Sequence, residues 1–151
     1  MLTRRIKTML MSAAILILAL SLAAAVPGLS TGRRLTADLT GAAEVPGPGD
    51  TDGSGSAVIR LNPGREVVCW TITVTGITLP ATAAHIHDGD AGVAGPVFVT
   101  LSAPDANGEA RGCTFVERAE ILEIIRNPDE YYVNVHNSDF PAGALRGQLT
   151  K

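Results

Sequence analysis

The chemistry this chain could carry rests first on its three histidines, His85, His87 and His136. Neutral imidazole suits copper, zinc, nickel or iron, and three imidazoles with a fourth position open form an exchangeable or catalytic metal arrangement rather than a closed structural one. His85 and His87 sit two residues apart in a segment, Ala83 to His87, that reads as a strand. Residues so spaced project from one face about 6.7 Å apart, which leaves Ala84 and Ile86 on the other. In Tyr131 to His136 the same parity groups Tyr132, Asn134 and His136 opposite Tyr131, Val133 and Val135. If the two strands are neighbours, the three imidazoles converge on one point and can hold copper or zinc. The alternative is that the histidines bond backbone and tie loops together without a metal. Asp88 and Asp90, beside the pair, and Asn134 on the shared face are candidates to orient an imidazole from the outer shell. An Asp-Gly-Asp sequence is also a common turn.

Other polar motifs are weaker. In residues 49–56, Asp50, Asp52 and Ser54 alternate ahead of Gly55, like the start of a calcium loop. The twelfth position is Leu61 rather than the bidentate Glu such a site requires, so a solvated turn is the better reading. The sequence has no Gly-rich phosphate loop, no nucleophile elbow and no CxxC redox pair, so the enzyme classes that announce themselves by such motifs gain no support.

The elements that must position the histidines are short segments rich in Thr, Val and Ile, separated by Gly, Pro, Asn and Asp, the pattern of an antiparallel all-β domain. The clearest is Glu66 to Thr75, where Val68, Trp70, Ile72 and Val74 alternate with Cys69, Thr71, Thr73 and Thr75. Further strands are expected at Leu35 to Leu39, Ser56 to Leu61, Ala83 to His87, Val97 to Leu101, Arg111 to Val116, Tyr131 to His136 and Ala144 to Leu149. Strands at this spacing predict a β-sandwich or barrel. One helix, from about Glu117 to Arg126, carries Ile121, Ile124 and Ile125 on a packing face and ends before Pro128.

The N-terminal segment reads as a secretory signal over residues 1–25: Arg4, Arg5 and Lys7, an apolar run from Met9 to Leu22, then Ala23, Ala24 and Ala25 as the cleavage site. An uncleaved anchor is the alternative, since the run can be stretched to about 18 residues. Residues 26–34 read as a flexible lead and 35–151 as a single domain. Loss of the signal would remove three of the 12 basic residues and none of the 15 acidic ones. The resulting negative charge and lack of a basic run argue against nucleic acid or an anionic membrane as partner. In an exported chain the two cysteines, Cys69 and Cys113, are expected to form one bridge, peripheral because Cys69 lies on the polar face of its strand.

Three stretches carry a family resemblance: LTGAAEVP (39–46), AHIHDGDAGVAGPVFVTL (84–101) and YYVNVHNSDFPAGALRGQL (131–149). In these the sequence resembles the chordin-type CHRD family. The resemblance implies an all-β sandwich, first described as a repeated module of an extracellular growth-factor antagonist, and a single copy behind a signal peptide resembles the bacterial members. A weaker likeness is to copper–zinc superoxide dismutases, which hold copper with a His-x-His pair and a later His, and which carry a late Arg similar to Arg146 in its Ala-Gly-Ala-Leu-Arg context. The bridging histidine, the zinc ligands and the long electrostatic loop have no counterpart here. The expected fold is thus an antiparallel, Greek-key-like, superoxide-dismutase-like β-sandwich with one short helix. Three functions are compatible: a secreted binding module holding copper or zinc, acting on an extracytoplasmic partner; a copper enzyme using Arg146; and a metal-free structural or adhesive domain. The non-enzymatic binding module is the preferred reading.

Overall fold

A computed structural model describes residues 32–151. The expected signal segment and most of the lead lie outside the described residues. Eight strands follow in chain order: β1 (Arg33–Thr40), β2 (Ser54–Asn62), β3 (Val67–Thr75), β4 (Ala83–Asp88), β5 (Val97–Leu101), β6 (Glu109–Phe115), β7 (Tyr131–His136) and β8 (Leu145–Gln148). Helix α1 (Arg118–Arg126) lies between β6 and β7. All eight expected strands are present, with shifts of one or two residues at their ends. Arg33 and Arg34, assigned to the lead, already pair with Leu61 and Arg60 in β1. Ladder pairing needs backbone groups, not apolar side chains, so the alternation signal begins only at Leu35.

The strands form one antiparallel sheet in the order β5-β4-β7-β8-β1-β2-β3-β6. The β1–β8 junction is narrow, a single register pair of Thr40 with Arg146 and a bridge of Thr36 with Thr150. Around it the sheet folds so that β5-β4-β7-β8 faces β1-β2-β3-β6. The expected sandwich is therefore a barrel-like sheet continuous through one seam. β3 pairs with β6 rather than with β4, and β4 with β7, so the chain crosses between the halves in the Greek-key manner.

Strand alternation fills the space between the halves. Leu35, Ala37 and Leu39 of β1, Ala57, Ile59 and Leu61 of β2, and Val68, Trp70, Ile72 and Val74 of β3 meet Ala84 and Ile86 of β4, Val133 and Val135 of β7, and Leu145 of β8. Each of the valine, leucine and isoleucine side chains among them contributes roughly 1.5–3 kcal/mol by leaving water. Helix α1 opens on Glu117, whose backbone N–H donates to the Glu120 carboxylate at 3.3 Å, and buries Ile121 and Ile124 against the core. Cys69 and Cys113 stand opposite each other in register on β3 and β6 and are joined as a disulfide on the outer face.

Candidate metal centre

The site grows from the pairing of β4 with β7. In this register His85 stands opposite Asn134, His87 opposite Tyr132 and His136 opposite Ala83. Parity then places all three imidazoles on the outer face of the half-sheet, because Ala84, Ile86, Val133 and Val135 occupy the inner one. One ring nitrogen from each histidine lies within 4.8 Å of the others. Ring centroids are separated by 5.4 Å for His85 and His87, 5.1 Å for His85 and His136, and 6.3 Å for His87 and His136. Nitrogens around a tetrahedral cation with bonds of about 2.05 Å stand about 3.4 Å apart, so small side-chain rotations close the set.

Hydrogen bonding fixes all three tautomers. His87 Nδ1 lies 2.9 Å from the Gly95 carbonyl, and His136 Nδ1 lies 3.1 Å from the Pro141 carbonyl. A carbonyl can only accept, so both Nδ1 atoms carry the proton and both Nε2 atoms present a lone pair. His85 Nδ1 is 3.2 Å from His136 Nε2 and donates to it. Nε2 of His87 is buried without a hydrogen-bond partner among the described residues. An imidazole oriented by a backbone carbonyl on one nitrogen and free on the other, as His87 is, has the usual form of a metal-ligating histidine.

The electrostatics keep the rings neutral. Burial lowers the pKa of each imidazole, and neighbouring charges lower them further: His136 and His87 act on His85, Arg146 on His87, and His87 on His136. The carbonyls of Gly95 and Pro141 oppose part of this at His87 and His136. No proton therefore has to be displaced from an imidazolium at neutral pH before a cation is bound.

The outer face here is only partly open to water, because two loops fold over it: the three histidines are half-buried, and Tyr132, Asn134 and Arg146 are buried. Residues 89–95 are held by Arg146, whose Nη1 and Nη2 donate to the Val93 and Asp90 carbonyls at 2.9 and 2.8 Å. Its guanidinium carbon sits 3.4 Å from the Tyr132 ring centroid. Tyr132 stacks on His87 at 4.8 Å, and its hydroxyl accepts from the Gly95 N–H at 3.1 Å. Gln148 Nε2 donates to the Gly89 carbonyl at 2.7 Å. Gly95 has no room for a side chain, since a Cβ would fall 1.6 Å from the Asp88 carbonyl oxygen. The second loop brings in Glu44, which accepts from Asn134 Nδ2. Burial pushes the Glu44 carboxyl up to about 7, against the opposing pull of Arg146. Gly143 leaves space for that carboxylate, for a Cβ there would come within 2.5 Å of it.

The expected site residues divide accordingly. His85, His87 and His136 come together. Asn134 shares their face but is bonded to Glu44, and its Oδ1 has no partner among the described residues. Asp88 turns away, because as the neighbour of His87 it has the opposite parity, and its carboxylate is exposed. The orienting part expected of it belongs to the carbonyls of Gly95 and Pro141. Arg146 is buried and engaged with the loop, not free beside the histidines. Asp50 and Asp52 form a turn, with the Asp52 N–H on Asp50 Oδ1 at 3.3 Å. Glu44, which bonds Asn134, and Gln148, which bonds the Gly89 carbonyl, are supports of the site that the sequence pattern does not mark. The signal available for Glu44 was a lone acid in an apolar stretch, Ala42 to Val45.

Among the described residues no helix is long and apolar enough to cross a membrane. No curated protein matches the chain. The model of the CHRD domain family matches residues 35–149, from within β1 to just past β8. The match takes in both strands that carry the histidines, and the chain belongs to the CHRD domain family.

Proposed function

We propose that this chain is a secreted CHRD-domain binding module whose three-histidine cluster holds copper or, more weakly, zinc. The observation that carries the reading is the pair of Nε2 lone pairs fixed by backbone carbonyls, with His87 Nε2 buried and unpartnered. A cation would take the lone pair that His85 now engages by its proton. Copper should bind more tightly than zinc, because nitrogen-rich sites follow the Irving–Williams order. The disulfide supports an oxidising, extracellular setting.

A copper enzyme is the rival reading, and Arg146 bears on it. Both its terminal nitrogens are bonded to loop carbonyls, which gives it a positioning part and leaves little for a substrate. Copper titration of protein prepared without a histidine tag, followed by calorimetry and copper spectroscopy, tests the proposal. Wild type should bind one copper, and single His→Ala variants at 85, 87 or 136 should weaken it at least tenfold. Asp88→Asn and Asp52→Asn should bind as wild type. A triple His→Ala variant that binds as tightly as wild type would leave the histidines a structural part only.

A further inference from the structure

The opposite half of the sheet carries a second feature. On the outer face of β1-β2-β3-β6, register sets Arg34 opposite Arg60, Arg60 opposite Cys69 and Cys69 opposite Cys113. The next row on that face runs Thr36, Val58, Thr71 and Arg111. A shallow depression of about 350 Å³ lies over the disulfide, lined by Arg60, Thr71 and Arg111 among others. Beyond it Phe115, opposite Val67, is 66% exposed.

Three observations point to a ligand for this face. Like charges directly opposite on neighbouring strands destabilise a sheet, yet Arg34 and Arg60 are so placed. Among the described residues neither makes an ion pair, and Arg111 has only Glu109 at 3.8 Å, with both side chains mostly exposed. The whole chain is acidic, at a net charge of −3, so these cations do not belong to a general positive field. From strand spacings, Arg34 and Arg60 are about 5 Å apart at the backbone and Arg111 stands about 12 Å from Arg60. One small anion cannot span that, whereas successive anionic groups along an extended chain can. The aromatic ring at the edge of the face offers a surface for the C–H side of a sugar ring.

We infer that the β1-β2-β3-β6 face, with Arg34, Arg60 and Arg111 around the disulfide and Phe115 at its rim, binds an acidic polysaccharide. Arginine suits sulfate and carboxylate groups because its planar fork bonds two oxygens at once. The surface is independent of the histidine cluster, which lies on the other half of the sheet.

Dextran sulfate is the probe, with neutral dextran as control, titrated into the full-length mature protein at about 50 and 200 mM salt. Wild type should bind dextran sulfate and not dextran, and the affinity should fall with salt as the arginines release counterions. Arg60→Ala/Arg111→Ala should lose at least tenfold in affinity and flatten the salt slope. Its melting temperature should stay at or above that of wild type, since a like-charge contact is relieved. The triple His→Ala variant should bind dextran sulfate normally, which keeps this result separate from the metal site. Failure of wild type to bind at low salt, or equal binding by the double arginine variant, would overturn the inference. So would arginine-dependent capture by phosphatidylglycerol vesicles without binding to dextran sulfate, which would make the face a lipid contact.

Discussion

Replacing Arg146 by alanine should release the loop of residues 89–95 and, through it, weaken the histidine cluster. The guanidinium makes two hydrogen bonds to loop carbonyls and lies on the Tyr132 ring. Hydrogen bonds from a charged donor are worth about 1.5–3 kcal/mol each, and a desolvated ring contact adds about 2 kcal/mol. Against a gross loss of roughly 5–8 kcal/mol stands the desolvation cost of burying a cation at 1% exposure, which alanine no longer incurs. A net destabilisation of about 3 kcal/mol is expected, or a fall in melting temperature of about 12 °C for a domain of this size. Freed of its anchor, the Gly95 carbonyl should leave His87 Nδ1. Losing such an orienting partner typically lowers metal affinity 10–100-fold. Removal of a nearby positive charge favours a bound cation and opposes this, so the lower end, about tenfold, is expected. Arg146→Lys keeps the charge but loses the fork, and should fall between alanine and wild type. Calorimetric melting, copper titration and amide exchange at Gly95 read the three consequences. A melting temperature within about 2 °C of wild type, with unchanged copper affinity, would refute the anchoring argument; unchanged copper with lost turnover would instead favour the enzyme reading.

Copper affinity should fall as pH drops below about 6, because each imidazole must stay deprotonated to ligate and burial already holds the three below their ordinary value near 6.5; titrations between pH 5 and 8 check this. Glu44 acts in the opposite sense on stability: its carboxyl is raised from 4.5 to about 7, so the folded state holds a proton the unfolded chain has lost, and stability from this group falls as pH rises through that window. The histidines, with lowered values, cost stability as pH falls below about 6.5, so the difference between wild-type and Glu44→Gln stability profiles isolates the carboxyl. Reduction of the Cys69–Cys113 disulfide should lower the melting temperature while leaving the circular dichroism of the sheet intact, because closing a loop of this length contributes about 4 kcal/mol and the core is large enough to persist.

Strand parity makes much of the site legible in the sequence. The two-residue step from His85 to His87 and from Asn134 to His136 fixes which face each side chain takes, and that rule needs no knowledge of the partner strand. What parity cannot supply is coverage. Tyr132 and Arg146 belong to an outer face that alternation marks as wet, and the long-range return of the 41–49 and 89–95 loops buries them there. For the same reason Asp88, adjacent in sequence to a ligand candidate, is remote in orientation, while Glu44, 41 residues before His85, reaches Asn134 on the shared face. The arginine face escaped notice because Arg34, Arg60 and Arg111 are scattered along the chain and form no run. Strand order alone sets them side by side.

β7 is flanked by β4 and β8 and is buried from Tyr131 through Val135 on both faces. A strand with no wet side offers its amides few local routes to solvent, so their hydrogen exchange is expected to be among the slowest in the domain. A side chain mounted at the end of such a strand, as His136 is, starts preorganised, and little ordering entropy would be left for a cation to compensate. If the proposed cation binds there, its uptake and release should leave the backbone where it is, and the circular dichroism of the sheet should be the same with and without copper.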